Sequence, residues 1–285
     1  MSIVDIINSY EEVKDDLKFQ SMSSVRIKIL IGLSEGPKRI EDLTELTGMK
    51  SSGIIYCMKK LEKKNLILNK KNYYHLSKIV HKIASELIDM IKTMIVLKNS
   101  QKLWLDHEIE SIPYDLLMKI GDLSNSKLME SENEDLSKTH RIHAQVVLNA
   151  EKIKGVSPIF YPDYLDTFNV ILNKNVEVEL VLTENILKKT IESHEPESLE
   201  RLKRLITEKQ VKLWEIKEDV KVAFTVTDKA LTLGLSSKKG MYDPVKLLVS
   251  DHDDALKWGN KLFDHYLKKA RKVDLEYLNI EKTTS

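Results

Sequence analysis

Between Ser23 and Ser77 the 285-residue chain carries three short helical patterns, each closed by a residue that ends a helix, followed by two short β-prone runs. That order leaves few folds open. Ser23 and Ser24 are placed to cap VRIKILIGL, and Gly36 with Pro37 stops it. The segment IEDLTELT ends at Gly48, a residue suited to the left-handed position after a helix. A further helix is predicted from about Ser51 to Lys64, with Asn65 in the role that Gly48 plays before it. ILNKKNYYHLS then reads as a hairpin turned around Asn69, Lys70, Lys71 and Asn72.

The faces of the third helix separate. Ile54, Met58 and Leu61 fall at i, i+4 and i+7 and anchor it on a core, whereas Ser52, Tyr56, Lys59 and Lys63 fall on the opposite side. Charge follows the same division. The whole chain has 45 Lys plus Arg against 44 Asp plus Glu, a net +1, yet Lys50 to Lys78 holds eight lysines and one acid, Glu62. Three helices, a basic outward face and a basic hairpin spell a winged helix-turn-helix whose third helix enters the major groove of double-stranded DNA. Lys50, Ser51, Ser52, Ile55, Tyr56, Lys59, Lys60 and Lys63 are the candidate contacts on that helix, and Asn69, Lys70, Lys71 and Asn72 those on the hairpin. Two other readings compete: a three-helix bundle with a solvated lysine face, and a protein-interaction adaptor on the same scaffold.

The first eighteen residues read as an amphipathic helix, with Ile3, Val4, Ile7, Tyr10 and Leu17 near helical spacing. From Lys78 to Leu105 one long helix is predicted, without Gly or Pro. Its seam of Val80, Ala84, Leu87, Ile91 and Met94 has the spacing of helices that pair, so it is the expected homodimer interface. Pro113 closes this region, Tyr114 to Leu123 reads as helical, and SKLMESENEDLSK as a mobile acidic loop. Thereafter strands are predicted at 156–160, 176–183, 211–214, 220–227, 230–236 and 246–250, with a hairpin turned at Asp228 and Lys229. Helices are predicted at 163–173, 184–193, 197–209 and 252–271. The expected class is α+β: a winged helix at 1–77, a linker and dimerisation helix at 78–112, and an α/β domain with a mixed sheet at 113–285.

Composition narrows the function. With 42% hydrophobic residues the chain can build a core, so general disorder is excluded. A single cysteine, Cys57, rules out an intrachain disulfide framework and points to a reducing cytoplasm; its place on the third helix raises a redox role, against which stands a quiet, half-buried thiol. No apolar run nears the roughly 18 residues that span a bilayer, and the N-terminus lacks the pattern of a signal peptide, so no membrane is expected. There is no G-x-S-x-G elbow, no phosphate loop and no H-E-x-x-H pair, and no cofactor is expected. His140 and His143 stand at i and i+3, but without an identifiable third metal ligand they read as a solvated or capping pair. His252, Asp253 and Asp254 read as the start of a helix that favours acids. Phe160, Tyr161 and Tyr164 are candidates to line an effector pocket, or equally to pack in a core.

The segment MKSSGIIYCMKKLEKKNLI resembles the recognition segment of archaeal and bacterial regulators of the ArsR and TrmB types. Met49, Ser51, Ser52, Ile54, Met58, Lys59, Lys60, Leu61 and Glu62 match it, and Asn65 stands where Gly is usual. The two-part layout, with AFTVTDKALTLGLS and a last helix beginning DHDDALKWGNKLFDHY, is similar to archaeal regulators with a methanogenesis-regulatory or filamentation-regulator domain. That resemblance implies a one-component transcription factor, usually dimeric, with a ligand-sensing domain of phospholipase D-like topology. Active phospholipase D enzymes need a His two residues before a Lys. None of the eight histidines here is followed by Lys at that spacing, so the resemblance implies a non-catalytic domain and no enzyme is expected.

Overall fold

The computed structural model of the chain describes residues 2–161, 163–174, 176–193 and 196–273, and it separates into two units, Met1–Ile91 and Lys92–Ser285.

In the first unit, helix α1 (Ile3–Ser21) opens on a capping box in which the Ser2 hydroxyl accepts from the Asp5 N–H and the Asp5 carboxylate from the Ser2 N–H. Ser23 caps α2 (Ser24–Ser34) as its sequence predicts, and α3 (Ile40–Thr47) ends on Gly48 at φ 65°. At Gly32 a side chain would meet Leu43 and Leu46 at 3.0 Å, so glycine lets α2 and α3 approach. Helix α4 (Ser51–Lys63) runs into Asn65 at φ 55°, the left-handed residue expected there. Strands β1 (Ile67–Lys70) and β2 (Tyr73–Leu76) follow as a hairpin. Its two-residue turn is Lys71 and Asn72, both at positive φ, which matches the twist of the strands. Lys38 bonds to Tyr74 in both directions and adds one bridge to the hairpin.

The core of this unit comprises Ile29, Leu30 and Leu33 from α2, Leu43 from α3, Ile54, Cys57, Met58 and Leu61 from α4, and Ile67 from β1. Val80 and Ala84 complete it. They come from α5 (Lys78–Asp106), whose later residues Val96, Leu103 and Trp104 belong to the core of the second unit. Two corrections follow. The predicted linker is not a body of its own, because its two ends are spent in different cores. The helix is also interrupted at Ser100 (φ −139°, ψ 33°), where the hydroxyl donates to the Val96 carbonyl and accepts from Trp104 Nε1, competing with the helical ladder.

The second unit is built on an eight-stranded mixed sheet in the order β10-β6-β5-β4-β7-β8-β9-β3. Strands β4 (Lys152–Ser157), β5 (Glu177–Thr183) and β6 (Val211–Ile216) are parallel neighbours. The antiparallel run β7 (Val222–Thr227), β8 (Leu231–Leu235) and β9 (Lys246–Ser250) extends the sheet from β4, and the Thr227–Ala230 turn closes the predicted hairpin. Residues 158–160 lie beyond β4, which starts four residues earlier than its apolar run suggests. The segment expected to be a mobile acidic loop instead contributes β3 (Lys127–Glu130), an edge strand paired to β9, with Leu128 against the core. Its charged neighbours mask an alternation that is only four residues long. At the other edge β10 (Arg271–Lys272) pairs with β6, so the predicted helix 252–271 ends earlier, as α11 (Asp253–Leu267).

Alternation along the strands divides the side chains between two layers. Val181, Ile216, Val222, Phe224, Val226, Leu231, Leu233 and Leu235 face one core, closed by the end of α5, the short helix α6 (Tyr114–Leu117) and α11. Ile153, Val178, Leu182, Val211 and Leu213 face the other, beneath α7 (Lys138–Leu148), α8 (Asp163–Leu172), α9 (Glu184–Ser193) and α10 (Pro196–Thr207). No helix among the described residues is long and apolar enough to cross a membrane.

Candidate nucleic-acid interface and an internal cavity

On α4 the separation of faces holds. Ile54, Cys57, Met58 and Leu61 are buried, while Lys50, Ser51, Ser52, Ile55, Tyr56, Lys59, Lys60 and Lys63 are exposed, Tyr56 to 61% and Ile55 to 38%. Asn69, Lys70, Lys71 and Asn72 are all exposed on the hairpin; the first two end β1, and Asn69 Oδ1 accepts from the Asn72 N–H to brace the turn. The ammonium of Lys60 lies 4.3 Å from the Tyr56 ring centroid, one helical turn away, and fixes that ring on the outer face. Lys64 is diverted: it pairs with Asp16 of α1 at 2.7 Å and lies over Phe19. Sequence reasoning missed Arg39, which lies before α3 and over the Tyr73 ring at 4.6 Å, adding a cation beside the hairpin. Its distance in sequence from the lysine run gives no signal.

The first turn of α4 is bare. Lys50, its N-cap, makes no side-chain cap, and a Cβ added at Gly53 would meet nothing within 4 Å. Glycine in a helix costs roughly 0.5–1 kcal/mol against alanine, and nothing inside the unit requires it here. Gly53→Ala should therefore stabilise the chain by about that amount in denaturant titration while lowering affinity for DNA in the same preparation. Unchanged DNA affinity would show that the bare turn makes no close approach.

In the second unit a cavity of about 170 Å³ lies between the sheet and helices α7 to α9. Its origin is in the strands. The face of β7 and β8 turned to α11 carries Val222, Phe224, Val226, Leu231, Leu233 and Leu235, whereas Ala223, Thr225 and Thr232 on the opposite face line the cavity. Short side chains there leave space that the helices do not fill.

Phe160, Tyr161 and Tyr164, the aromatic candidates from the sequence, all line this cavity. So do His140 and His143, which corrects the expectation of a solvated pair. His140 stacks on Tyr161 at 3.9 Å with a 4° interplanar angle, and its Nδ1 lies 3.1 Å from the Tyr164 hydroxyl. His143 Nδ1 lies 3.0 Å from Thr232 Oγ1. The i, i+3 spacing does place both imidazoles on one side of α7; what it cannot show is that the sheet covers that side. Tyr242 also lines the cavity, with its ring against Gly234, where a Cβ would fall 2.4 Å from the hydroxyl. Among the described residues no group of three or more His, Cys, Asp or Glu is arranged to hold a metal ion.

His143 is half-buried by area but enclosed by protein, since the surface that it retains is cavity wall. Burial, helped by the neighbouring His140, pushes it down to about 4 from 6.5. The folded state thus resists a proton that the unfolded chain accepts, so stability falls as pH drops from about 6.5 to about 4. The loss should be on the order of 3 kcal/mol, and His143→Phe should remove most of it in urea titrations across that window.

The loop between β8 and β9 joins the cavity wall to the end of α5. Next to Tyr242, Asp243 Oδ2 lies 2.9 Å from His107 Nε2, while His107 Nδ1 lies 2.9 Å from the Leu103 carbonyl. Burial opposes the charge on Asp243, but bonds from Lys246, His107 and the Val245 N–H outweigh it and hold the carboxyl below its usual range. Glu108 N–H also donates to the Ser236 carbonyl.

The remaining candidates separate clearly. Val80 and Ala84, expected on a dimer seam, are buried in the first unit's own core; Leu87 and Ile91 are half-buried, and only Met94, at 61%, is well exposed. Two of the five seam residues are thus used inside the chain, since one apolar period serves equally for packing within a chain and between chains. Cys57 is buried. His252 caps α11 through Nδ1, and Asp254 pairs with Lys92 at 3.1 Å, so this cluster starts a helix as expected.

Both units match domains of one kind of regulator. Residues 14–96 match the N-terminal domain, and residues 136–269 the middle domain, of the methanogenesis regulatory protein FilR1. The chain is 24% identical to the methanogenesis regulatory protein FilR1 of Methanothrix harundinacea (strain 6Ac) over 259 residues, which is 90% of this chain and 58% of that protein. It therefore spans less than two thirds of that relative's length. Among solved structures it is loosely similar to TrmBL2, an archaeal chromatin protein described as showing a novel mode of DNA binding, at 13% identity and a TM-score of 0.41, with 95% of this chain and 100% of that one covered. A phosphatidylserine synthase of Haemophilus influenzae Rd KW20 is similar at 10% identity and a TM-score of 0.39, covering 77% of this chain and 54% of that one.

Proposed function

We propose that the chain is a DNA-binding transcriptional regulator whose first unit is a winged helix-turn-helix and whose second unit senses an effector in the cavity. The observation that carries the first half is the outer face of α4, where Ser52, Tyr56, Lys59, Lys60 and Lys63 stand exposed opposite a fully apolar inner face. The matches of both units to FilR1 domains support the same reading. Ser51, Ser52 and Tyr56 face base edges, and the lysines face phosphates on either side; Lys70 and Lys71 at the hairpin reach further backbone. The test is retention of genomic DNA fragments by the purified chain at about 150 mM salt, with sequencing of what is retained. An adaptor protein would retain none.

The cavity belongs to the mechanism through its connection to α5. Tyr242 lines it, the adjacent Asp243 holds His107, and α5 continues by covalent connection into the core of the DNA-binding unit at Ala84 and Val80. A ligand that displaces Tyr242 shifts this strap and biases α5. It does so only if it binds the two arrangements of the strap with different affinity.

A homodimer suits a helix-turn-helix that reads two half-sites. Its cover surface lies chiefly on α1, where Ile3, Ile6, Ile7, Tyr10, Val13 and Leu17 form an exposed stripe at helical spacing and no residue is buried. Ile7→Glu with Tyr10→Glu should give monomers in sedimentation velocity; Leu87→Asp with Ile91→Asp, changing residues already half-buried, should instead reduce stability. A dimer that survives the α1 pair would place the interface elsewhere.

A further inference from the structure

We infer that the cavity takes an uncharged, mostly apolar small molecule that carries one hydroxyl or carbonyl group, and that it excludes phosphates, carboxylates and ammonium compounds. This rests on the reading of the cavity as the effector site. Size comes first. An internal space of about 170 Å³ is close to the roughly 150 Å³ that accommodates benzene in an engineered apolar cavity, so the buried part of the ligand is a single ring or a short branched chain. Charge comes second. Among the described residues that line the cavity none is Asp, Glu, Lys or Arg, and His143 is held neutral, so an ionised ligand would enter without a carboxylate, ammonium or guanidinium partner and with His140, stacked on Tyr161, as the one other imidazole on the lining.

Polarity comes third. The cavity is not uniformly apolar, and His143, Thr225, Thr232 and Tyr242 are among the polar residues on its lining. His143 uses Nδ1 toward Thr232, and among the described residues neither its Nε2 nor the Tyr242 hydroxyl has a hydrogen-bond partner. Burial pushes that hydroxyl up to about 12, with the Asp243 charge adding to the effect, so it remains protonated and can donate. One donor and one ring nitrogen on the lining suit one hydroxyl or carbonyl group, with the apolar remainder against Ile171, Leu180 and Phe168. A ligand bonded to Tyr242 would act on the strap that holds His107.

Isothermal titration of the full chain with benzyl alcohol, toluene, benzoate and benzylammonium tests this. Benzyl alcohol should bind at least about tenfold tighter than either ion. Tyr242→Phe, which keeps the ring on Gly234 and removes only the hydroxyl, should weaken benzyl alcohol by about fivefold and leave toluene unchanged. Ala223→Leu, which puts three carbons into the space, should abolish binding of both. Equal or tighter binding of benzoate, absence of any binding to the wild-type chain, or indifference of benzyl alcohol to both substitutions would overturn the inference. The same preparations are assayed for DNA retention. A chain that takes the alcohol as stated but retains no DNA keeps this ligand class and loses the regulatory reading; one that retains DNA and rejects the alcohol does the reverse.

Discussion

Replacement of Lys59, Lys60 and Lys63 together by alanine should lower affinity for every DNA sequence and flatten its salt dependence. Each phosphate contact contributes about 0.9 to the slope of log affinity against log salt, so three contacts change it by roughly 2.7. Because counterion release contributes little near 1 M salt, the same figure gives a loss on the order of several hundred-fold at about 0.1 M. Lys64→Ala is the internal control, since that ammonium is committed to Asp16 and Phe19 and its loss should barely move the slope. Fluorescence anisotropy at four or more salt concentrations decides the matter. A triple variant with the wild-type slope would remove α4 from the groove. Lys60→Ala alone carries an added effect, because it frees the Tyr56 ring on which the ammonium rests, so some sequence preference should go with it.

Trp258→Ala should cost the second unit roughly 3–5 kcal/mol, a large share of the 5–15 kcal/mol that typically holds a domain together. Trp258 is 1% exposed in the core beneath α11, and its indole Nε1 donates to the Leu116 carbonyl at 3.0 Å, tying α11 to α6. Truncation leaves a cavity and removes one of the hydrogen bonds to that carbonyl, the one from the Lys119 N–H remaining. Trp258→Phe keeps most of the volume and should cost only about 1–2 kcal/mol, so the difference between the two variants in urea titration separates packing from the hydrogen bond. A Trp258→Ala chain as stable as the wild type would mean that the neighbouring residues collapse into the space.

The first unit was legible in the sequence because its signals are local. Ser23, Gly48 and Asn65 act within one or two residues of themselves, through a cap or a left-handed backbone, and each stands where its chemistry predicts. The α4 faces follow from helical period alone. The second unit was legible in its strands and helices but not at its edges. β3 is too short for its alternation to show against four acids in the segment 126–138, and β10 has two residues. Ser100 breaks α5 by a hydroxyl bond to a carbonyl four residues back, an option open to any helical serine that its sequence does not reveal.

The cavity shows the limit most clearly. The aromatic triplet at 160–164 and the histidine pair at 140 and 143 were visible as residues, yet what brings them to one wall with Thr232 and Tyr242 is pairing across the sheet and the packing of α7 on it. By itself the sequence determined where helices start and stop, which face of α4 is basic, and that no familiar nucleophile or phosphate loop is present. Only the tertiary structure decided which apolar residues were already used inside the chain, as Val80 and Ala84 are, and which short residues of β7 and β8 leave a space unfilled. The physical reason is range: caps and helical faces depend on neighbours a few residues away, whereas burial and voids depend on side chains brought together from distant parts of the chain.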